Sequence, residues 1–141
     1  MLLAWVLSCD SHEERDDGTT DIFGAGIDTF YVDRLPAQVE LTLLARLWLI
    51  EDESGQIELQ VFGPDTTPLG TLPYPIDAEP GPNHRPGYLV TQTEPLEVGF
   101  RAEVEGTYSI EVYADRTRGH AVAADRRASL FFNVRLEEEA D

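Results

Sequence analysis

Apolar and polar residues alternate through most of this chain, so the predicted element is the β-strand almost throughout. The longest run covers positions 39–49. Val39, Leu41, Leu43, Ala45, Leu47 and Leu49 share one face, and Glu40, Thr42, Leu44, Arg46 and Trp48 share the other. A second face that is only half polar predicts a central strand, or an outer face that is partly covered. A polar turn at 51–55 leads into Ile57, Leu59 and Val61, which alternate with Glu58, Gln60 and Phe62. Two such runs joined by a short Gly-containing turn predict a β-hairpin.

The C-terminal half repeats the pattern. Leu96, Val98, Phe100, Ala102 and Val104 alternate with Glu97, Gly99, Arg101 and Glu103. After the turn at Glu105 and Gly106, Tyr108, Ile110, Val112 and Ala114 alternate with Ser109, Glu111 and Tyr113. A last strand carries Leu130, Phe132, Val134 and Leu136 on one face. Near the N-terminus, positions 2–7 read as a first strand, 10–20 as a polar, acidic stretch and 21–28 as a second strand extended by 30–32. Positions 2–9 are not read as a secretion signal, because no base precedes an apolar run that is itself short.

No segment shows a helical period over ten or more residues, and positions 121–129 lack an apolar stripe. Short alternating strands without intervening helices predict an all-β fold: an antiparallel two-sheet β-sandwich, immunoglobulin-like, of about seven to nine strands. A closed barrel is the alternative. The Gly-x-Tyr opening of the strand at 106–114 fits the penultimate strand of such sandwiches, where a Tyr ties down the sheet corner. Tyr108 is that residue, or else an ordinary core aromatic. The domain is expected to span 1–136, followed by an acidic tail at 137–141 that frays.

Several pieces, taken in order, carry a resemblance. They are the opening strand with its acidic hairpin, 22–28 (IFGAGID), 35–37 (LPA), 47–55 (LWLIEDESG), 58–65 (ELQVFGPD), 68–70 (PLG) and 106–113 (GTYSIEVY). In that order they resemble a family of small bacterial β-sandwich domains of unknown function. The resemblance spans most of the chain and implies a sandwich from a cytoplasmic bacterial or phage protein. It implies no activity and no active site. The chain departs from that pattern in a long charged loop at 10–18 and a stretched final hairpin at 115–127.

Composition narrows the partners. The 141 residues suffice for one domain, and the formal charge is −17, from 27 acids against 10 bases, all of them Arg. Such a field repels phosphate backbones and anionic lipid, so no nucleic acid and no membrane is expected as a partner. No run reaches the length of a membrane span. A lone Cys9 makes no internal disulfide and demands no oxidising compartment, consistent with a cytoplasmic location.

No motif for catalysis is found. Gly-x-Ser-x-Gly is absent, Cys9 has no evident basic partner, and Gly24 and Gly26 precede no helix. His12, His84 and His120 lie in separate predicted loops without ligand spacing, so no metal and no cofactor is expected. The acids at 10–21 and 51–53 are read as a solvated rim, with calcium as the alternative.

Two features invite a partner. Positions 63–95 hold eight of the nine prolines, and 73–87 read as a long Pro-stiffened loop carrying Tyr74, His84, Arg85 and Tyr88. Arg116, Arg118, Arg126 and Arg127 crowd the last hairpin loop. Tyr and Arg are favoured at interfaces, and these eight are the candidate partner-binding residues. The bland alternatives are a plain connection for the first loop and local charge balance for the second. The expectation is therefore a non-enzymatic protein-interaction module, binding another protein through loops or a sheet edge. A self-assembling structural subunit, phage-related, is the alternative, motivated by Leu44, Trp48 and Ile50 on the second face of the 39–49 strand. A nucleic-acid mimic and an enzyme rank lower.

Overall fold

A computed structural model describes residues 1–115 and 126–137. Among them every regular element is a strand: β1 (Leu2–Cys9), β2 (Ser11–Glu14), β3 (Thr20–Phe23), β4 (Thr29–Val32), β5 (Ala37–Leu49), β6 (Ser54–Phe62), β7 (Pro68–Asp77), β8 (Val90–Ala102), β9 (Gly106–Asp115) and β10 (Arg126–Leu136). The all-β expectation holds, with ten strands where seven to nine were expected. None of the described residues forms a helix long and apolar enough to cross a membrane.

Three strands make one sheet in the order β1-β5-β8. Five more, in the order β4-β10-β9-β6-β7, make a second sheet that curls into a half-barrel. The remaining pair, β2 and β3, forms a hairpin. All pairings are antiparallel except β4 on β10, which is parallel. β4 is therefore not an extension of β3, as the sequence suggested. Gly24 (φ 63°) and Gly26 (φ 83°) adopt left-handed conformations that turn the chain between them.

The inward faces of the two larger sheets share one core. Leu43, Leu47, Leu49 and Leu96 come from the three-stranded sheet, and Ile57, Leu59, Ile110, Phe132 and Val134 from the other. Each is nearly or fully buried, and each such side chain contributes about 1.5–3 kcal/mol relative to an exposed one. Tyr108 belongs to the same cluster, and its ring packs on Phe100 of the opposite sheet with centroids 5.1 Å apart.

β5 is central, as its half-apolar second face predicted. Leu44 lies on that second face yet is fully buried and stands outside the core. Leu7 on β1 and Pro95 on β8 flank it in the sheet, and the β2–β3 hairpin reaches the same outer face, where Thr20 Oγ1 lies 3.4 Å from Thr93 Oγ1. The expected exposed row of Leu44, Trp48 and Ile50 is thus split. Trp48 and Ile50 stay in solvent, at 45% and 49% exposure.

The Pro-rich segment also differs from expectation. Positions 73–77 belong to β7, so the loop runs over 78–89 rather than 73–87. β7 is an edge strand, and Pro73 and Pro75, two residues apart, turn their missing N–H groups the same way. An edge tolerates that; a central strand would not. At the C-terminus, Glu137 is held rather than frayed, its N–H donating to the Val32 carbonyl at 2.8 Å. The rest of the acidic tail lies outside the described residues.

Candidate functional site

The strand register brings the 78–89 loop and the two roots of the final hairpin to one end of the sheets. β5 ends and β8 begins there, with Leu49 opposite Val90. β6 begins and β7 ends there, with Ser54 opposite Asp77. β9 ends at Asp115, opposite Gln56 of β6, and β10 begins at Arg126. The same end therefore carries the 50–53 turn, the 78–89 loop and both roots of the final hairpin.

The 78–89 loop is anchored at several points. The Ala78 N–H donates to the Glu53 carbonyl at 2.9 Å. Gln92, buried on β8, accepts from the Glu79 N–H at 2.9 Å and donates to the Asp77 carbonyl at 3.1 Å. Gly87 N–H donates to the Glu51 carboxylate. His84 Nε2 lies 2.9 Å from the Tyr88 carbonyl, and its backbone N–H donates to Gly81. Glu53 also caps its own turn, accepting from Ile50 N–H at 3.1 Å, and pairs with the Met1 ammonium. A loop fixed this way loses little entropy when it binds.

His84 is half-buried within the loop, while Arg85 and Tyr88 are exposed, Tyr88 at 65%. Tyr74 does not belong to the loop. It lies on β7, packs against the core and donates its hydroxyl to the Glu97 carbonyl on β8, tying the two sheets together. Burial and the nearby Glu97 charge push that phenol above its ordinary value. Arg127 is exposed on β10, and Arg126 is paired through its backbone with Tyr113. Arg116, Arg118 and His120 lie outside the described residues.

The structure adds an apolar cluster that the sequence did not assemble. Leu2 (65% exposed) stands directly opposite Trp48 across β1 and β5. Ile50 and Leu89, both half-exposed, follow Leu49 and precede Val90, which are themselves cross-strand partners. Leu2, Trp48, Ile50, Tyr88 and Leu89 thus gather at the loop end. Trp48 and Ile50 were visible as off-phase apolar residues; Leu2 and Leu89 join them only through the register.

Chemistry elsewhere is sparse. A cavity of about 280 Å³ is lined by Ser8, Cys9, Asp10, Glu40, Thr42 and Glu97, among others. Burial, Asp10 and Glu97 all raise the Cys9 thiol above its ordinary value. Among the described residues, no group of three or more His, Cys, Asp or Glu side chains is arranged to hold a metal ion. On the surface, the Asp33 hydrogen bond and charge raise the Glu137 carboxyl above its ordinary value. No protein-family model and no curated protein matches this chain.

Proposed function

We propose that this chain is a non-enzymatic protein-interaction module built on an immunoglobulin-like sandwich, and that it binds through the loop end. The sheet orders support the sandwich reading. A β1-β5-β8 sheet faces a sheet in which β10, β9, β6 and β7 run side by side, with β4 added in parallel to β10. Tyr108 at the β8–β9 corner supports it too, bonding back to Val104 as a corner tyrosine does.

One observation carries the interaction reading. The exposed Trp48, Ile50, Tyr88 and Leu89 converge with the anchored 78–89 loop and the roots of the Arg-rich hairpin at a single end. Clustered exposed aromatics beside an ordered loop are what a partner surface needs, and a folded monomer gains nothing from leaving them in water.

The test is capture of a stoichiometric partner from the host's own cells by tagged native protein. Two variants should lose it: His84→Ala/Arg85→Ala/Tyr88→Ala, and the replacement of Arg116, Arg118, Arg126 and Arg127 by Ser. Deletion of 73–87 is unsuitable, because it would remove half of β7. Retention of the partner by both variants rejects binding through the loop end. Recovery of the native protein alone rejects the module reading.

A further inference from the structure

We propose that the outer face of the three-stranded sheet docks a basic segment of a partner protein, one that carries an apolar anchor. This rests on the interaction-module reading and names the chemistry of its partner.

The face has two halves that meet. One half is apolar: Leu2 and Trp48 side by side, with Ile50 and Leu89 beyond. The other half is the β2–β3 hairpin, which meets this face through Thr20 and Thr93 and whose segment 10–21 carries six acids: Asp10, Glu13, Glu14, Asp16, Asp17 and Asp21. Its one base, Arg15, is already held by Asp21 at 2.8 Å. Glu13, Glu14 and Asp16 have no ion-pair partner among the described residues.

The halves share a border at Thr93. That residue touches Thr20 of the hairpin at 3.4 Å and accepts from Arg46 Nη1 at 2.9 Å. Thr91, two residues along β8, accepts from Arg46 Nη2 at 3.2 Å and stands opposite Trp48. Two residues of strand span roughly 7 Å. A single extended or helical segment therefore reaches acids and Trp48 together. Arg46 is held by hydrogen bonds to both threonines.

Charge selects the occupant. A second copy would bring another −17 against this face, and its own acidic hairpin against the first. A Lys- or Arg-rich segment meets favourable charge from the hairpin, and its cations can rest on the Trp48 ring. An aliphatic or aromatic side chain on that segment covers Leu2 and Ile50.

The probe is a synthetic 14-residue peptide alternating Lys and Leu around one Phe, titrated against the full chain and followed by Trp fluorescence. Two control peptides carry Glu for Lys, or Ser for Leu and Phe. Only the first should bind. Trp48→Ser/Ile50→Ser should weaken it at least about tenfold, as loss of central anchors does. Neutralising the hairpin (Glu13→Gln, Glu14→Gln, Asp16→Asn, Asp17→Asn) should weaken it about tenfold at low salt and flatten its salt dependence. Neutralising Asp33, Glu103, Glu105 and Glu137, at the opposite end, changes the total charge equally and should leave binding within about twofold.

Equal weakening by that distant set, or equal binding of the Ser peptide, overturns the proposal as unspecific attraction. So does a native dimer in sedimentation that Trp48→Ser dissociates, since a second copy then owns the face. If the host partner is lost by the loop variants but kept by both face variants, the module stands and this inference falls. If no host partner exists, the module reading falls first.

Discussion

The Tyr108 hydroxyl donates a 2.7 Å hydrogen bond to the carbonyl of Val104, four residues earlier in the chain. The ring end of Tyr108 is in the core against Phe100, and the hydroxyl end fixes the turn from β8 to β9. One side chain thus joins the packing of both sheets to the geometry of their connection. Tyr108→Phe keeps the ring and removes the bond. Val104 is exposed, so water can replace part of what is lost. The expected cost is about 0.5–1.5 kcal/mol in urea unfolding. Tyr108→Ala empties the site and should cost about 3–5 kcal/mol. Phe as destabilising as Ala would show that the hydroxyl, not the ring, dominates.

The same corner depends on a glycine. Gly106 sits at φ 148°, and a Cβ there would stand 2.6 Å from Cγ of Pro64 in the β6–β7 turn. Gly106→Ala combines an unfavourable backbone with a clash against a rigid ring, and should cost about 1–3 kcal/mol. Pro64→Gly removes the obstacle but not the dihedral. The double variant should recover part of the loss, seen as non-additivity in a double-mutant cycle. Strict additivity would place the whole cost in the backbone.

Much of the fold was legible because period two marks strands directly. β5, β6 and β9 lie where alternation placed them, β8 and β10 begin earlier than their predicted runs, at Val90 and Arg126, and the central position of β5 follows from Leu44 and Trp48 on its second face. What failed was local. Gly24 and Gly26 read as a bend inside one strand, whereas their left-handed conformations end β3 and start a new partner for β10. Pro73 and Pro75 read as loop, because alternation cannot reveal that a strand will be an edge. The candidate surface was half legible. Its loops were marked by Pro and Arg, but the Leu2–Trp48 contact depends on a register between strands about 40 residues apart, which no local signal encodes.

Leu44 gives the clearest test of the hairpin's role. Its position on the outer face would make it a neutral surface residue if β2 and β3 were a loose loop. Leu44 is instead fully buried, so Leu44→Ala should cost about 2–5 kcal/mol. The effect should also be regional. If the hairpin that meets Thr93 also packs on Leu44, amide exchange at positions 11–23 should speed up more than at β6 or β9. A cost below about 1 kcal/mol, near that of an exposed substitution, would mean the hairpin is not docked in solution.

Glu94 supplies the pH dependence. It is half-buried on β8, accepts a 2.6 Å hydrogen bond from Gln92 and feels the carboxylates of Glu79 and Glu14. Burial is the main cause that raises its carboxyl above the ordinary value; the two acids add to it and the Gln92 bond opposes it. A carboxyl raised in the folded state binds its proton more tightly there than in the unfolded chain. Ionising it therefore costs stability. That cost is absent below the unfolded value, where both states are protonated, and complete above the folded one. Glu94→Gln keeps an acceptor for Gln92 and removes the charge. It should be more stable than the native chain at pH 7.5, and the difference should shrink as pH falls through the ordinary glutamate range. Urea unfolding of both proteins at pH 7.5 and pH 4 measures it, since titration of the acids not coupled to Glu94 cancels in the difference. A variant less stable than native at pH 7.5 would mean that the Gln92 bond to the carboxylate outweighs its burial.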